Sequence, residues 1–438
     1  MTVSDSDFSL TATPGLVLPV AVRASGARIW DRDGNSWLDA CGGAMVMSLG
    51  HCHPRLVERI KQQVETLSFT YRFSFSNEPM VELAGQLREL APMEDAWCFF
   101  NSSGSESVES AIHLALLYWQ YRGQGTKTDL ISRIPSFHGS TLGALSLSGS
   151  RWRKAFEPVL EKYPCVPAPN ADIRGRRGPE QETEWAAGAI EDVILQRGAE
   201  HVAAVFLEPI TGASGAAVVP PDGYLARVRE ICDRHEVLMI CDETITAFGR
   251  TGSWFAVDHW GVVPDVITYA KGVTSGIVPF SGMLASGEIK RVFEASDAGF
   301  PWGHTFSGYP LGCAVASEVI KIIQDEGLIA EAERKGALLR RLLEQVTAEA
   351  PIVGQVRGKG LLQGIELVAD RDSLAPLEGG AARVTRACRD RGLMVYSCPT
   401  PIGRTTVQAI MLAPPLVISD EEIEEACAIL GEAIIASA

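Results

Sequence analysis

The sequence lacks an excess of basic residues. Its 39 lysines and arginines are outnumbered by 54 aspartates and glutamates, which gives a formal net charge of −15 at pH 7. A nucleic-acid-binding protein needs a basic surface that neutralises phosphates, and an anionic membrane also attracts basic residues. The charge therefore argues against both nucleic acid and a membrane surface as partners.

Long apolar runs are also missing. No run approaches the roughly 20 consecutive apolar residues of a membrane-spanning helix. The first ten residues, MTVSDSDFSL, carry acidic residues and no basic segment of the kind that begins a signal peptide. These features predict a soluble protein of the cytoplasm.

The cysteines do not form pairs along the chain. All 10 stand singly, without a Cys-x-x-Cys motif, and several lie within apolar runs. This spacing is typical of neither a zinc site nor a disulfide framework. His51 and His53 have no acidic or thiolate residues spaced to complete a metal site. We therefore expect reduced cysteines in the core and no metal.

The middle of the chain alternates short apolar runs with longer amphipathic stretches. Helical patterns cover Glu106–Tyr121 and Gly223–Arg234. The strand-like runs are Trp97–Phe100, Leu130–Arg133, Ala203–Leu207, Leu238–Cys241 and Val266–Tyr269. Such alternation predicts an α/β fold with a mainly parallel sheet, whose ligand site lies beyond the carboxyl ends of the strands.

The C-terminal hundred residues have a different pattern, and a smaller α+β domain is expected there. The 438 residues are enough for two or three domains. The Gly- and Arg-rich stretch Asn170–Thr183 is expected to be an exposed loop. The C-terminal elements are expected at Pro310–Gln324, continuing into Leu328–Glu349, then Gly364–Val368, Ala381–Arg391 and a final helix from Glu421.

The segment from Ser103 to Glu106 follows a predicted strand and opens a predicted helix. Small residues let backbone N–H groups approach an anion at a helix N-terminus, and the hydroxyls of Ser103 and Ser105 add donors. The segment could therefore hold a phosphate. A serine N-cap followed by a carboxylate in the first turn explains the same residues as a structural cap, so both interpretations stay open.

Two charged residues stand at strand ends. Asp242 closes an apolar run, and a buried carboxylate there needs a partner, such as a protonated nitrogen of a pyridine-type ring. Lys271 closes another apolar run, where partial burial lowers the pKa of an amine and makes it a usable nucleophile. A capping aspartate and a surface lysine are the structural alternatives.

Phe137 and His138 follow a third predicted strand. An aromatic side chain at a strand end can stack on a flat heterocycle, although a core phenylalanine is equally common. The segment His304–Gly308 offers hydroxyl donors ahead of a helix and is compatible with an anion. All these residues fall on the same edge of the inferred sheet.

Longer stretches of the sequence, taken in order, resemble the class III (omega-amino acid) aminotransferases, which are pyridoxal-5′-phosphate (PLP) enzymes of fold type I. The resemblance covers nearly the whole chain. It is carried by SSGSESVESAI, SFHG, LEPITG, ICDETITAFGRTG, PDVITYAKG, HTFSGYPLGCAVA, RGKGLLQGIEL and LAPPLVIS. It implies a large PLP-binding domain with a mainly parallel seven-stranded sheet at 61–325, and a smaller α+β domain built from segments 1–60 and 326–438.

The family's roles carry over to matching positions. The resemblance implies that Lys271 holds PLP as a Schiff base and that Asp242 pairs with the ring nitrogen. Phe137 and Thr244 would pack on opposite faces of the ring, and Glu208 would lie near its 3-hydroxyl. The full implied cofactor set is Ser103, Gly104, Ser105, Phe137, His138, Glu208, Asp242, Thr244, Lys271 and Thr305.

The resemblance also implies a homodimer with shared active sites, because Thr305 would reach the phosphate of the neighbouring subunit's cofactor. Tyr71 could line the substrate pocket or be a core tyrosine. Arg404 could bind a substrate carboxylate or be a solvated loop residue. Thr244, Ala247 and the segment EPITGASG depart from the family pattern, which leaves the substrate preference open.

The implied reaction is transamination in two half-reactions, in which an amine or amino acid donates its amino group and a keto acid or other carbonyl compound accepts it. A racemase or epimerase on the same scaffold is the alternative. A binding protein without activity fits poorly with a retained Lys271 and Asp242.

Overall fold

The computed structural model describes residues 18–149, 153–170, 177–403 and 405–438. Within these ranges no helix is long and apolar enough to cross a membrane. The α-helices are α1 (Gly42–Met45), α2 (Pro54–Thr66), α3 (Glu78–Leu90), α4 (Gly104–Tyr121), α5 (Leu142–Leu147), α6 (Arg153–Phe156), α7 (Pro179–Arg197), α8 (Tyr224–Arg234), α9 (Gly287–Glu294), α10 (Pro310–Asp325), α11 (Leu328–Thr347), α12 (Gly380–Arg389) and α13 (Asp420–Ile435).

The strands form three sheets. They are β1 (Ala21–Ser25), β2 (Arg28–Asp31), β3 (Ser36–Asp39), β4 (Trp97–Asn101), β5 (Asp129–Ile134), β6 (Cys165–Pro167), β7 (Val202–Leu207), β8 (Leu238–Asp242), β9 (Val266–Tyr269), β10 (Ser281–Ala285), β11 (Val353–Lys359), β12 (Leu362–Leu367), β13 (Leu393–Met394), β14 (Tyr396–Ser397), β15 (Thr400–Ile402) and β16 (Thr405–Leu412).

The central sheet has seven strands in the order β4-β10-β9-β8-β7-β5-β6. The neighbours from β9 to β6 pair in parallel, whereas β10 is antiparallel to both β4 and β9. Six strands therefore run in one direction and β10 runs against them. The prediction of an α/β fold with a mainly parallel seven-stranded sheet is confirmed.

The central strands form where apolar runs can be covered on both faces. Every residue of β7, β8 and β9 is buried. Continuous burial rather than alternation is what a parallel sheet between two helical layers requires. Helix α4 packs on one face, and the pair α7 and α8 packs in the layer on the other. The five strand-like runs in the sequence all form strands, but the other two strands of the sheet, β6 and β10, were not anticipated.

Two other expectations need correction. The stretch Asn170–Thr183 is not a loop throughout, because α7 begins at Pro179 and buries Glu182 and Thr183; residues 171–176 lie outside the described ranges. The long C-terminal helical stretch is interrupted at Gly327, whose φ of +61° ends one helix and allows the next to start in a new direction.

The remaining sheets join segments distant in the chain. One has the order β1-β2-β3-β13, so the N-terminal strands pair with a strand from residues 393–394. The other has the order β11-β12-β16-β14, with β15 also paired to β16, and we call it the C-terminal sheet. The smaller α+β part is thus built from both ends of the chain. The boundaries near residues 60 and 325 remain a prediction.

Candidate active site

The segments that follow β4, β5, β7, β8 and β9 meet around one cavity at the carboxyl edge of the central sheet. It encloses about 370 Å³, and this edge is where open α/β sheets bind ligands. The residues expected at the cofactor that line it are Ser103, Gly104, Ser105, Phe137, His138, Glu208, Asp242, Thr244 and Lys271.

Helix α4 points its N-terminus at the cavity. Ser103 caps the helix, since its hydroxyl accepts a hydrogen bond of 3.3 Å from the backbone N–H of Glu106. Ser103 is therefore a helix cap, as the structural alternative predicted. The cap does not use the backbone N–H groups of the next two residues, which remain able to bind an anion. Gly104 and Ser105 occupy the first turn of an 18-residue helix, where unbonded N–H groups favour an anion.

Gly139 keeps the cavity open beside Ser105. Its φ is +143°, and a Cβ atom there would lie 2.6 Å from the Ser105 Oγ. The Ser105 Oγ also accepts a hydrogen bond of 3.0 Å from the backbone N–H of Ser140. The Phe-His-Gly turn after β5 thus needs its glycine, because any side chain at that position would collide with Ser105 at the N-terminus of α4.

Asp242 ends β8 and is held by three groups. Its Oδ2 lies 2.9 Å from Nδ1 of His138, and its Oδ1 accepts bonds of 3.1 Å each from the Thr244 N–H and the Thr268 hydroxyl. Burial alone would raise the pKa of this carboxyl, but the His138 contact, together with Thr244, holds it below the usual value. Asp242 is therefore ionised at neutral pH despite being buried.

His138 links the turn after β5 to this carboxylate. Its backbone N–H donates to the Ser148 Oγ at 2.8 Å, while its ring is fixed by Asp242. The ring Nε2 is buried and has no hydrogen-bond partner within the described part of the chain.

Lys271 follows β9 and opens a short 3-10 turn. Its φ is +47°, a left-handed conformation that a non-glycine residue adopts at some cost. Burial in the cavity lowers the pKa of the amine to about 8, although the negative charges of Asp242 and Glu208 oppose the shift. A substantial fraction of the amine is therefore neutral, and so nucleophilic, near physiological pH.

Glu208 follows β7 and has its carboxylate anchored on both oxygens. Oε1 accepts from the Phe137 N–H at 3.1 Å, and Oε2 accepts from the Gly212 N–H at 2.8 Å. Burial raises the pKa of this carboxyl, and the negative charge of Asp242 adds to the effect. Glu208 therefore positions Phe137 at the cavity and also fixes the start of the segment after Gly212.

Two expected residues lie elsewhere, and a third is not described. Tyr71 is 47% exposed and packs on Phe73 with ring centroids 5.4 Å apart; it does not line the cavity of its own chain. Thr305 is exposed in the turn before α10. Arg404 lies outside the described residues.

Sequence reasoning missed two parts of the site. Thr268, a hydroxyl inside an apolar strand, supports Asp242, and a polar residue at a buried strand position was the available signal. A second cavity of about 230 Å³ shares Phe137 and Lys271 with the first. Its other walls come from Ala44 and Met45, from Ala213 and Ser214, and from the segment Tyr396–Pro401 of the C-terminal sheet.

The cavity provides a matched set of groups. A helix N-terminus, a ring-sized space beside Phe137, an ionised carboxylate and an amine with a lowered pKa surround one space. This donor set fits a phosphorylated pyridine aldehyde such as PLP: an anion site for the phosphate, a carboxylate for a ring N–H, and an amine for the aldehyde. Fold and site together define a transferase of the PLP-dependent type.

Comparison with known proteins identifies the family. Residues 12–434 match the model for class III aminotransferases, and the chain belongs to this family. It is 37% identical to the uncharacterized aminotransferase YodT of Bacillus subtilis, over 95% of both chains. It is 34% identical to the putrescine–pyruvate aminotransferase of Pseudomonas aeruginosa, over 93% of this chain and 88% of that protein.

Solved structures agree with this assignment. A transaminase from the marine bacterium Virgibacillus has a TM-score of 0.91 and 31% identity, covering 98% of this chain and 97% of that one. The omega transaminase of Pseudomonas jessenii, solved with pyridoxamine phosphate (PMP), has a TM-score of 0.90 and 30% identity, covering 96% and 93%. The protein is an aminotransferase, which confirms the function predicted from sequence, and class III aminotransferases depend on PLP.

Proposed function

We propose that the cavity binds PLP, with Lys271 attached covalently to it, and that the enzyme moves an amino group from an amine or amino acid to a keto acid. The observation that carries the proposal is the meeting of Lys271, Asp242 and the N-terminus of α4 in one cavity. When bound, PLP supplies an electron-accepting ring that stabilises negative charge on the reacting carbon of the substrate.

Each residue of the cavity has a distinct task. The N–H groups of Gly104 and Ser105 bind the phosphate, and Phe137 and Thr244 hold the ring from its two faces. Asp242 keeps a proton on the ring nitrogen, because its carboxylate stays charged while buried.

Lys271 is the group that moves a proton. Once an amine substrate had taken its place on the cofactor, the freed Lys271 Nζ would act as the base that removes a proton from the substrate carbon and as the acid that gives it back. A pKa near 8 suits both directions, because neither the charged nor the neutral amine is strongly favoured.

The first half-reaction tests the proposal without any knowledge of the acceptor. The purified enzyme reconstituted with PLP is mixed with putrescine, β-alanine and N-acetylornithine in turn, and the cofactor absorbance is followed. We expect at least one donor to bleach the band of the lysine-bound cofactor, and pyruvate or 2-oxoglutarate to restore it. An unchanged spectrum with a broad panel of amines would contradict the proposal.

We further propose that the enzyme is a homodimer with Thr305 at the partner's cofactor phosphate. Five aromatic side chains, four in the segment 69–75 and one next to Thr305, are 42–72% exposed: Phe69, Tyr71, Phe73, Phe75 and Phe306. An exposed apolar cluster of this kind is typical of a protein–protein interface, and Phe69 and Phe306 contact each other with ring centroids 5.7 Å apart.

Replacement of Phe75 by aspartate is expected to weaken both dimerisation and activity. Phe75 is 70% exposed, so the monomer itself should fold normally. Sedimentation equilibrium should show a dimer for the wild type and a shift towards monomer for Phe75→Asp, with at least about a tenfold loss of turnover. Leu195→Asp, on the exposed side of α7 at 63% exposure, is the matched control and should remain dimeric. A fully active monomer would rule out the shared site.

A further inference from the structure

The second cavity is bounded by a strained segment. Residues 211–218 leave the cavity edge after Glu208, and Ala213 and Ser214 form one wall of that cavity beside Lys271. We call 211–218 the wall loop. Ala216 and Ala217 have φ values of +54° and +59°. Two consecutive left-handed alanines are strained and persist only where the surroundings hold them.

The surroundings include a buried ion pair from the C-terminal sheet. Arg357 on β11 and Glu366 on β12 are 5% and 3% exposed and are bonded to each other. The Arg357 guanidinium also donates to the Ala216 carbonyl at 3.0 Å and to the Gly215 carbonyl at 2.6 Å. One planar group thus grips two successive carbonyls of the wall loop while a carboxylate balances its charge.

The sheet also makes room for the wall loop. Gly364 on β12 lies opposite Arg357 in the strand register. A Cβ atom on Gly364 would lie 1.9 Å from the Ala216 carbonyl oxygen. The side chains of Ala216 and Ala217 are themselves buried, in a cluster that includes Leu362 and Met411 of the same sheet.

The C-terminal sheet therefore supports two facing walls of the second cavity. Its β11–β12 side grips the wall loop, and its β14–β15 side, through Tyr396–Pro401, supplies the facing wall. The near end of the wall loop is fixed separately, by the Gly212 N–H on Glu208 at 2.8 Å. The Ala213–Ser214 wall is held between these two anchors.

We propose that Arg357, supported by Glu366, is a positioning residue that fixes the substrate-side wall of the active site and so determines how well the amine donor binds. The proposal rests on the cavity being the active site described under the proposed function. Arg357 contacts neither Lys271 nor the other cofactor residues in the described contacts, and its influence passes through the Gly215 and Ala216 carbonyls.

The test compares Arg357→Met with Arg334→Met in the full-length enzyme reconstituted with PLP. Arg334 makes an exposed ion pair with Asp420 at 2.8 Å and does not touch the wall loop, which makes it the matched control. We expect kcat/KM for putrescine or the best donor of the panel to fall about 10- to 100-fold in Arg357→Met, mainly through KM. The control should stay within about twofold.

Hydrogen–deuterium exchange of the peptide that contains the wall loop gives a readout besides activity. Exchange should become faster in Arg357→Met and stay unchanged in Arg334→Met. Adding Ala217→Gly to Arg357→Met should recover part of the lost kcat/KM, because glycine adopts a φ of +59° without strain.

Gly364→Ala tests the same contact from the other side and covers the case in which Arg357→Met does not fold. Gly364→Ala keeps the ion pair between Arg357 and Glu366, but its added Cβ atom should displace the Ala216 carbonyl. It should therefore also raise KM for the amine donor. The proposal is overturned if the exchange rate rises while KM does not change, or if activity falls only because PLP is lost. Failure of the wild type to react with any amine would instead count against the proposed function itself.

Discussion

Replacement of Lys271 by alanine is expected to abolish turnover while leaving the fold intact. The loss should be on the order of 10⁴-fold or more, as is seen when an enzyme loses the group that forms its covalent bond. The fold should persist because removing an amine whose pKa is already lowered by burial to about 8 relieves a cost of desolvation. Steady-state rates and circular dichroism measure the two effects.

The site of attachment can be mapped directly. Borohydride reduction of the PLP-loaded wild type, followed by peptide mapping, should place the label on Lys271. Lys321→Ala is the control variant, because Lys321 is a surface residue paired with Glu82 at 2.6 Å, and it should keep full activity and labelling. A label on another lysine, or an active Lys271→Ala enzyme, would reject the assignment.

The lowered pKa adds a pH dependence to the same experiment. In the enzyme without cofactor, the neutral form of Lys271 becomes the majority as the pH rises through about 8. Modification of Lys271 by an amine-reactive reagent should therefore increase with a midpoint near that pH, whereas exposed lysines should respond about two units higher. A midpoint near 10 would mean that Lys271 is not buried in solution as it is in the structure.

Asp242→Asn is expected to reduce kcat by about 10²- to 10⁴-fold with a much smaller effect on folding. The amide oxygen can still accept from the Thr244 N–H and the Thr268 hydroxyl on the Oδ1 side, while the amide NH2 can donate to Nδ1 of His138 in its other tautomer, so the local geometry should be retained. It carries no charge, however, and cannot hold a proton on the ring nitrogen, so the ring becomes a poorer electron acceptor. Single-turnover bleaching of the cofactor band by an amine isolates this step.

Asp265→Asn is the matched control for Asp242→Asn. Asp265 is a half-buried carboxylate next to the central sheet, but it precedes β9, at the end opposite to Lys271, and pairs with Arg229 at 2.7 Å. Its loss should lower the temperature of unfolding and leave kcat within a few-fold of the wild type. If Asp242→Asn and Asp265→Asn behave alike, Asp242 has only a structural role.

The central part of the fold was accessible from sequence because its signals are local. Continuous apolar runs such as Ala203–Leu207 predict buried parallel strands by themselves. Strand β10, with the sequence SGMLA, was missed because three of its five residues are small. Its pairing with β4 and β9 also depends on segments more than 10 residues away.

The residues of the candidate site likewise fall into those that local sequence signals predicted and those that only the structure could assign. Lys271, Asp242 and the start of α4 stand at strand ends, and the carboxyl ends of parallel strands meet at one edge, so their proximity followed from the pattern. The sequence also left two readings of Ser103 open, and the structure shows that its hydroxyl caps the helix while the following N–H groups face the cavity.

By itself, the sequence determined the α/β class, the functional residues at the ends of the central strands, and the family. Burial and motif spacing are properties of short segments, so they can be recognised without the tertiary structure. Only the tertiary structure decided what surrounds the substrate. The wall loop at 211–218 is gripped by Arg357, a residue about 140 positions further along the chain, and the facing wall comes from Tyr396–Pro401. No periodicity in the sequence encodes such contacts, because they arise only when the C-terminal sheet packs against the wall loop.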